Sequence, residues 1–297
     1  MLDLKRLLKQ DRLIRAITGV SGGEFQEILA DFSKCFRDEE KKKRKHPNKG
    51  VKHTLDSDEA RLIFILFYLK CYPTFDLAGV FYGVDRAQPC RWANYLSGIL
   101  EKTMGKKKVL PKRKVRDLKE LLELIPEIKE VLVDGTERPI QRPKNAKKQK
   151  EKYSGKKKRH TVKNLVVSDR KKRILYLSPT VSGKTHDLSL FKSERLANGI
   201  PKGKNVRLDN GFQGIENNFP NLKIYMPRRK PRGKPFTETQ KNRNRQISRI
   251  RVLVENAIGG VKRLRSLTDV YRNKRKDFED KIMALGAGLW NFHLASG

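Results

Sequence analysis

Three apolar residues, Val131-Leu132-Val133, run straight into Asp134, Gly135 and Thr136. A short apolar run bounded by turn residues is the pattern of a strand covered on both faces, with Asp134-Gly135 turning the chain at its end. In sheets of that kind, ligands and catalytic groups collect at strand ends. Asp-Gly also marks ordinary turns, so the dipeptide alone is punctuation. What sets Asp134 apart is the positive charge that follows it and two later acids in comparable settings, Asp209 and Glu255.

The charge is extreme. Over 297 residues, 69 Lys and Arg face 33 Asp and Glu, a formal net charge of +36. A chain of this length forms one or two domains with a real core. Self-repulsion at such a charge disfavours compaction, which points to a polyanionic partner. Basic residues are spread along the whole chain, as nucleic acid requires; a membrane-surface protein would confine them to one amphipathic helix or a juxtamembrane cluster. The longest apolar run, Leu62 to Leu69, is too short to span a bilayer, and the Leu- and charge-mixed N-terminus lacks the apolar core of a secretory signal. Cys35, Cys71 and Cys90 lack metal-ligand spacing and read as buried or incidental thiols in a reducing cytosol.

Residues 1–50 read as two short helices, broken at Gly19 to Gly23, followed by a solvated basic linker from Lys41 to Gly50. Residues 51–105 carry a sharper pattern. Ser57 can cap a helix with an apolar body from Leu62 to Leu69. A second helix runs from Thr74 to Tyr82 and closes at Gly83, and a third opens after Asp85. This is a helix-turn-helix pattern, in which Arg86, Gln88 and Arg91 carry donors suited to base edges. Pro89 is tolerated there only in a first helical turn. A basic stretch from Gly105 to Arg116 marks a boundary, and residues 106–127 form a linker helix stopped by Pro126.

Residues 128–297 hold the acids. After the strand ending at Asp134, residues 144–159 form a basic loop containing Tyr153, Lys156, Lys157, Lys158 and Arg159, suited to tracking a phosphate backbone. Residues 163–167 and 173–177 read as an antiparallel hairpin. Gly183-Lys184-Thr185 lacks the first glycine of a nucleotide-binding loop. His186 and Asp187 read as helix-capping groups, with a place near the strand ends as the alternative for Asp187. A strand ending at Asp209, reached through a crossover helix, should join the sheet parallel to the first and set Asp209 beside Asp134. Residues 222–227 form a further strand. Beyond a basic loop at 228–235, a long helix carries an apolar stripe from Ile250 to Leu264. Off the stripe lie Arg251, Glu255 and Lys262. Glu255 is the only acid between Thr239 and Thr268. It reads either as an ordinary i,i+4 partner of Arg251, contributing about a few tenths of a kcal/mol, or as a metal ligand. A closing helix spans Asp280 to Leu294.

Three carboxylates without His or Cys suit Mg²⁺ or Mn²⁺. Two such ions, roughly 3.5–4 Å apart, can serve phosphodiester cleavage.

The combination resembles a bacterial insertion-sequence transposase of the DDE superfamily, in the group related to Harbinger elements. It is carried by Tyr72-Pro73-Thr74-Phe75 through Trp92, Val133 to Glu137, Tyr153 to Thr161, Gly183 to Asp187, Asp209 to Gly214, and Val254-Glu255-Asn256 with Lys262. The resemblance covers about residues 55–295. It implies an α/β fold, a ribonuclease-H-like mixed sheet flanked by helices and preceded by an all-α helix-turn-helix domain. It further implies Asp134, Asp209 and Glu255 as the metal-binding catalytic triad, cleavage at element ends by metal-activated water, and attack of the freed 3′-hydroxyl on target DNA. Arg251, Lys262 and Arg263 are then expected on DNA beside the basic loop. A homodimer or larger assembly is expected on DNA, in the bacterial cytoplasm at the nucleoid. The competing readings are a catalytically silent DNA-binding regulator derived from a transposase and a basic RNA-binding protein; the latter lacks an aromatic RNA-binding signature.

Overall fold

The computed structural model describes residues 4–43, 54–230, 233 and 235–297. The helices in chain order are α1 (Leu4–Leu8), α2 (Asp11–Thr18), α3 (Gly22–Lys43), α4 (Asp58–Cys71), α5 (Phe75–Tyr82), α6 (Ala87–Lys106), α7 (Val115–Leu124), α8 (Ala146–Lys152), α9 (Asp187–Ser193), α10 (Ile215–Asn218), α11 (Glu238–Val261) and α12 (Phe278–Ser296). The strands are β1 (Glu130–Pro139), β2 (Tyr153–Ser154), β3 (Arg159–Ser168), β4 (Ile174–Leu177), β5 (Val181–Ser182), β6 (Asn205–Arg207) and β7 (Lys223–Tyr225). Among the described residues no helix is long and apolar enough to cross a membrane.

The chain forms two compact units. One contains Met1–Leu110, Lys262–Asp269 and Asn273–Gly297. Among its described residues it is all helix apart from connecting turns. Leu62 to Leu69 are buried on every side of α4, so α4 is the centre of this bundle rather than one face of it. Ser57 caps α4, its Oγ accepting the Ala60 N–H at 3.1 Å, and Thr74 does the same for α5 through the Leu77 N–H. Phe64 of α4 meets Tyr82 of α5 and Trp92 of α6 edge-on, with centroids 5.3 and 5.2 Å away, which fixes the α5–turn–α6 arrangement. Pro89 lies in the first turn of α6, where its missing N–H breaks no helical bond.

Several expectations are corrected here. The basic linker expected from Lys41 is helical at its start, because Lys41 to Lys43 continue α3; residues 44–50 lie outside the described residues. The N-terminal region holds three helices, the third of 22 residues, started by a reciprocal Ser21–Glu24 cap. The closing helix, expected alongside the carboxylates, packs on α6 in this first unit, where Glu24 and His293 Nδ1 stand 2.6 Å apart.

The second unit, Pro111–Val261 with Val270–Arg272, is built on a seven-stranded mixed sheet in the order β2-β3-β1-β6-β7, with β4 and β5 also paired to β3. β1, β3 and β4 are antiparallel, and β6 and β7 join parallel to β1, as the hairpin and crossover pattern requires. Val131, Val133, Leu165, Val167, Val206 and Leu208 point to one face and form a core with α7 and α9. α11 packs against β1 and β3 with Val254, Ala257, Ile258 and Val261 buried. This is the ribonuclease-H-like α/β arrangement.

β1 does not end at Asp134. It continues to Pro139, paired with β3 through Pro139↔Thr161. A polar seam holds this extension. Arg138 Nη2 donates to Asn164 Oδ1 at 2.9 Å, and Asn164 Nδ2 donates to the Ser178 carbonyl at 2.8 Å. The alternating Thr-Glu-Arg sequence hides that complementarity, which exists only between strands. The basic loop at 144–159 is also partly ordered, into α8 and the β2–β3 hairpin.

Candidate active site

The parallel register places the two aspartates. Leu132 of β1 pairs with Arg207 of β6, and Asp134 and Asp209 each lie two residues further on. Side chains alternate along a strand, so both carboxylates emerge on the same face from neighbouring strands. Both are half-buried. Each is oriented by the glycine beyond it. Asp134 Oδ1 accepts the Gly135 N–H at 2.8 Å, and Asp209 Oδ1 accepts the Gly211 N–H at 2.7 Å. Among the described residues, no cationic side chain is hydrogen-bonded to either.

Burial, and then the charge of Asp209, push the Asp134 carboxyl up to about 6. The Gly135 N–H and Arg251 oppose that rise, and Asp187 adds to it. A carboxyl raised this far by burial, and further by a like-charged neighbour, is the kind of perturbed group that clusters at functional sites.

Glu255 is not drawn into the pair. It lies on α11 with its side chain 45% exposed, and its Oε1 is 2.9 Å from Arg251 Nη1. Among the described residues no three His, Cys, Asp or Glu side chains gather closely enough to hold one ion. The sequence offered both readings of Glu255, and the i,i+4 pair is the one realised in this conformation.

Asp187, for which the sequence offered a capping role or a place near the strand ends, packs against Gly135 and Gly211. His186 occupies the N-cap position of α9 without a side-chain capping bond. A cleft of about 570 Å³ opens beside Asp209, lined by Lys156, His186, Asn210, Gly211, Gln213 and Arg229. A second cavity of about 600 Å³ lies at the opposite, starting ends of β1 and β6. Its two buried acids are already paired, Glu130 with Arg170 and Arg207 and Asp169 with Arg173, so their charge is compensated.

Residues 133–291 match the DDE superfamily endonuclease family. A probable transposase for insertion sequence element IS702 from Microchaete diplosiphon is 31% identical over 291 residues, covering 96% of this chain and 95% of the relative. The chain belongs to the insertion-sequence transposases of the DDE superfamily. A transposase for insertion sequence element IS1106 from Neisseria meningitidis serogroup B is 38% identical over 73 residues, 23% of this chain and 25% of that relative. No solved structure matches.

This transposase is therefore a DNA-acting nuclease of a superfamily that uses divalent metal ions. The donor set fits such an ion: two half-buried carboxylate side chains from adjacent strands, oxygen donors only, without a hydrogen-bonded cation among the described residues. Lys156, Lys157 and Lys158 occupy the exposed tip of the β2–β3 hairpin, with Arg159 at the start of β3. Lys158 adopts a positive φ of 52° there. Of these four, Lys156 reaches the cleft beside Asp209. Arg251 sits half-buried on α11. Lys262 and Arg263 belong to the first unit, and the Arg263 guanidinium lies over the Trp290 ring, 5.7 Å from its centroid, half-buried rather than spread on a surface. Arg86 and Arg91 are exposed at the start of α6, Gln88 is half-buried, and Arg86 is 3.4 Å from Asp76.

Proposed function

We propose that this transposase cuts and rejoins insertion-element ends by metal-dependent phosphodiester hydrolysis followed by 3′-hydroxyl strand transfer. The observation that carries the reading is the pairing of Asp134 and Asp209 across the parallel β1–β6 register, with negative charge that no neighbouring side chain compensates by hydrogen bonding among the described residues.

In this reading Asp134 and Asp209 hold Mg²⁺ or Mn²⁺, as two ions, and Glu255 joins them after exchanging Arg251 for an ion. When bound, such ions activate the attacking oxygen and stabilise the leaving one. Lys156 and Arg229 in the cleft seat the phosphodiester beside Asp209, while Gln213 and Asn210 offer neutral hydrogen bonds. Lys157, Lys158 and Arg159 extend that basic track along the hairpin. Arg251, once released, turns its guanidinium to DNA phosphate, and Lys262 and Arg263 also contact DNA. Arg86, Gln88 and Arg91 read the terminal inverted repeats through the first turns of α6. Joining two ends calls for a homodimer or larger assembly on DNA.

The test is cleavage of a supercoiled plasmid carrying the element's own terminal repeats. Wild-type protein should nick it in Mg²⁺, while Asp134→Asn, Asp209→Asn and Glu255→Gln should bind the same DNA and leave it intact. Full cutting by any of the three variants removes that residue from the catalytic set.

A further inference from the structure

Asp187 stands against the two glycines that orient the catalytic pair. A Cβ added to Gly135 would meet Asp187 Oδ1 at 2.6 Å, and one added to Gly211 would meet Asp187 Oδ2 at 2.9 Å and Asp209 Oδ1 at 2.9 Å. These are the same glycines whose N–H groups donate to Asp134 and Asp209. Gly135 falls on the alternate face of β1 from Asp134, so Asp187 braces the strand from behind. Glycine is required at both positions because a side chain would fill the space the carboxylate occupies.

Asp187 is itself held. The ammonium of Lys163, on β3, donates to Asp187 Oδ1 at 2.8 Å and to the Thr185 carbonyl at 2.7 Å, and lies 3.6 Å from Glu137 Oε1. Glu137 Oε2 accepts the Thr161 hydroxyl at 2.7 Å. Lys163 is only 7% exposed. A lysine buried that deeply between two carboxylates is costly to place and rigid once placed. The network spans β1, β3 and the entry to α9, and its free end reaches the turn after β6.

We propose that Asp187 is a positioning residue that sets the spacing between Asp134 and Asp209, with Lys163 as its anchor. The proposal rests on the reading of Asp134 and Asp209 as the ion-holding pair. Asp187 acts through the glycines: it fixes where their N–H groups point, and so where each carboxylate points. Outer-shell partners of this kind typically change ion affinity about 10- to 100-fold when removed.

The experiment is Mn²⁺ binding by the full chain, followed by electron paramagnetic resonance, with far-ultraviolet circular dichroism to establish that each variant is folded. Asp187→Asn should weaken Mn²⁺ binding about tenfold. Lys163→Met should give a similar loss, and the double variant should lose little more than either, because the two residues act as one unit. Gly211→Ala keeps every charge and wedges a Cβ against the carboxylates of Asp187 and Asp209, so it should also weaken binding, and it serves if Asp187→Asn does not fold. Asp134→Asn and Asp209→Asn are the controls. Loss in the controls with wild-type affinity in Asp187→Asn or, if that variant is unfolded, in Gly211→Ala overturns the positioning role. Wild-type affinity in both controls overturns the reading of the pair itself.

Discussion

Asp134 and Asp209 stand on neighbouring parallel strands, each two residues past the paired Leu132 and Arg207. Burial of the Asp134 carboxylate and, after it, repulsion from Asp209 both disfavour its charged form, and the folded protein bears the two together as lost stability.

The cost has a pH signature. Asp134 titrates near 3.8 when unfolded and at about 6 when folded. Between those values the folded state keeps a proton that the unfolded state releases, so stability falls as pH rises through the window. Above pH 6 the loss is on the order of 3 kcal/mol. In EDTA, Asp134→Asn should melt at nearly the wild-type temperature at pH 4 and several degrees higher at pH 7, with the difference growing between. Added Mn²⁺ should raise the wild-type melting temperature at pH 7 and leave Asp134→Asn nearly unmoved. A difference that stays flat across that pH range contradicts that cost.

Arg251 is the cation nearest to satisfying this site, paired to Glu255 and acting on Asp134 through space. Replacing it removes a competitor for the ion. Arg251→Gln should bind Mn²⁺ two- to fivefold more tightly, about 0.5–1 kcal/mol. It should also bind DNA less tightly. Unchanged or weaker Mn²⁺ binding means Arg251 supports the ion instead of competing with it.

The hairpin tip at Lys156, Lys157 and Lys158 is exposed, and among the described residues no salt bridge ties it to an acid. Replacing all three with Ala should weaken binding to specific and nonspecific DNA alike. The slope of log affinity against log salt should fall by up to about 3. A slope equal to that of the wild type would place the tip off the DNA.

Arg138 and Asn164 form the polar seam that carries β1 past Asp134. Arg138→Met leaves buried acceptors unsatisfied and should cost roughly 1–3 kcal/mol. Urea unfolding should show a lower midpoint with an unchanged slope. A midpoint equal to the wild-type value would make the seam dispensable.

Much of this was legible in the chain itself. The apolar run into Asp134, the hairpin after it and the crossover to Asp209 gave the antiparallel strands and the parallel neighbour of the first, because alternation and connection rules act locally. What stayed hidden were contacts made across strands. Thr136, Glu137 and Arg138 look like a polar turn until Asn164, Lys163 and Val162 are set opposite them. Asp187 looks like a helix cap, because nothing in Thr185-His186-Asp187 announces that Gly135 and Gly211 will close around it. Glu255 shows the opposite limit: its spacing from Arg251 was visible, but which of its two partners it would choose depends on the surrounding charge.

The most direct measurement is an anomalous difference map from crystals of the transposase bound to its DNA ends in Mn²⁺. A peak should lie about 2.1 Å from a carboxylate oxygen of both Asp134 and Asp209, with Glu255 turned toward it and away from Arg251. Ion peaks elsewhere, with both aspartates free of metal while the same crystals contain cleaved DNA, would contradict the assignment.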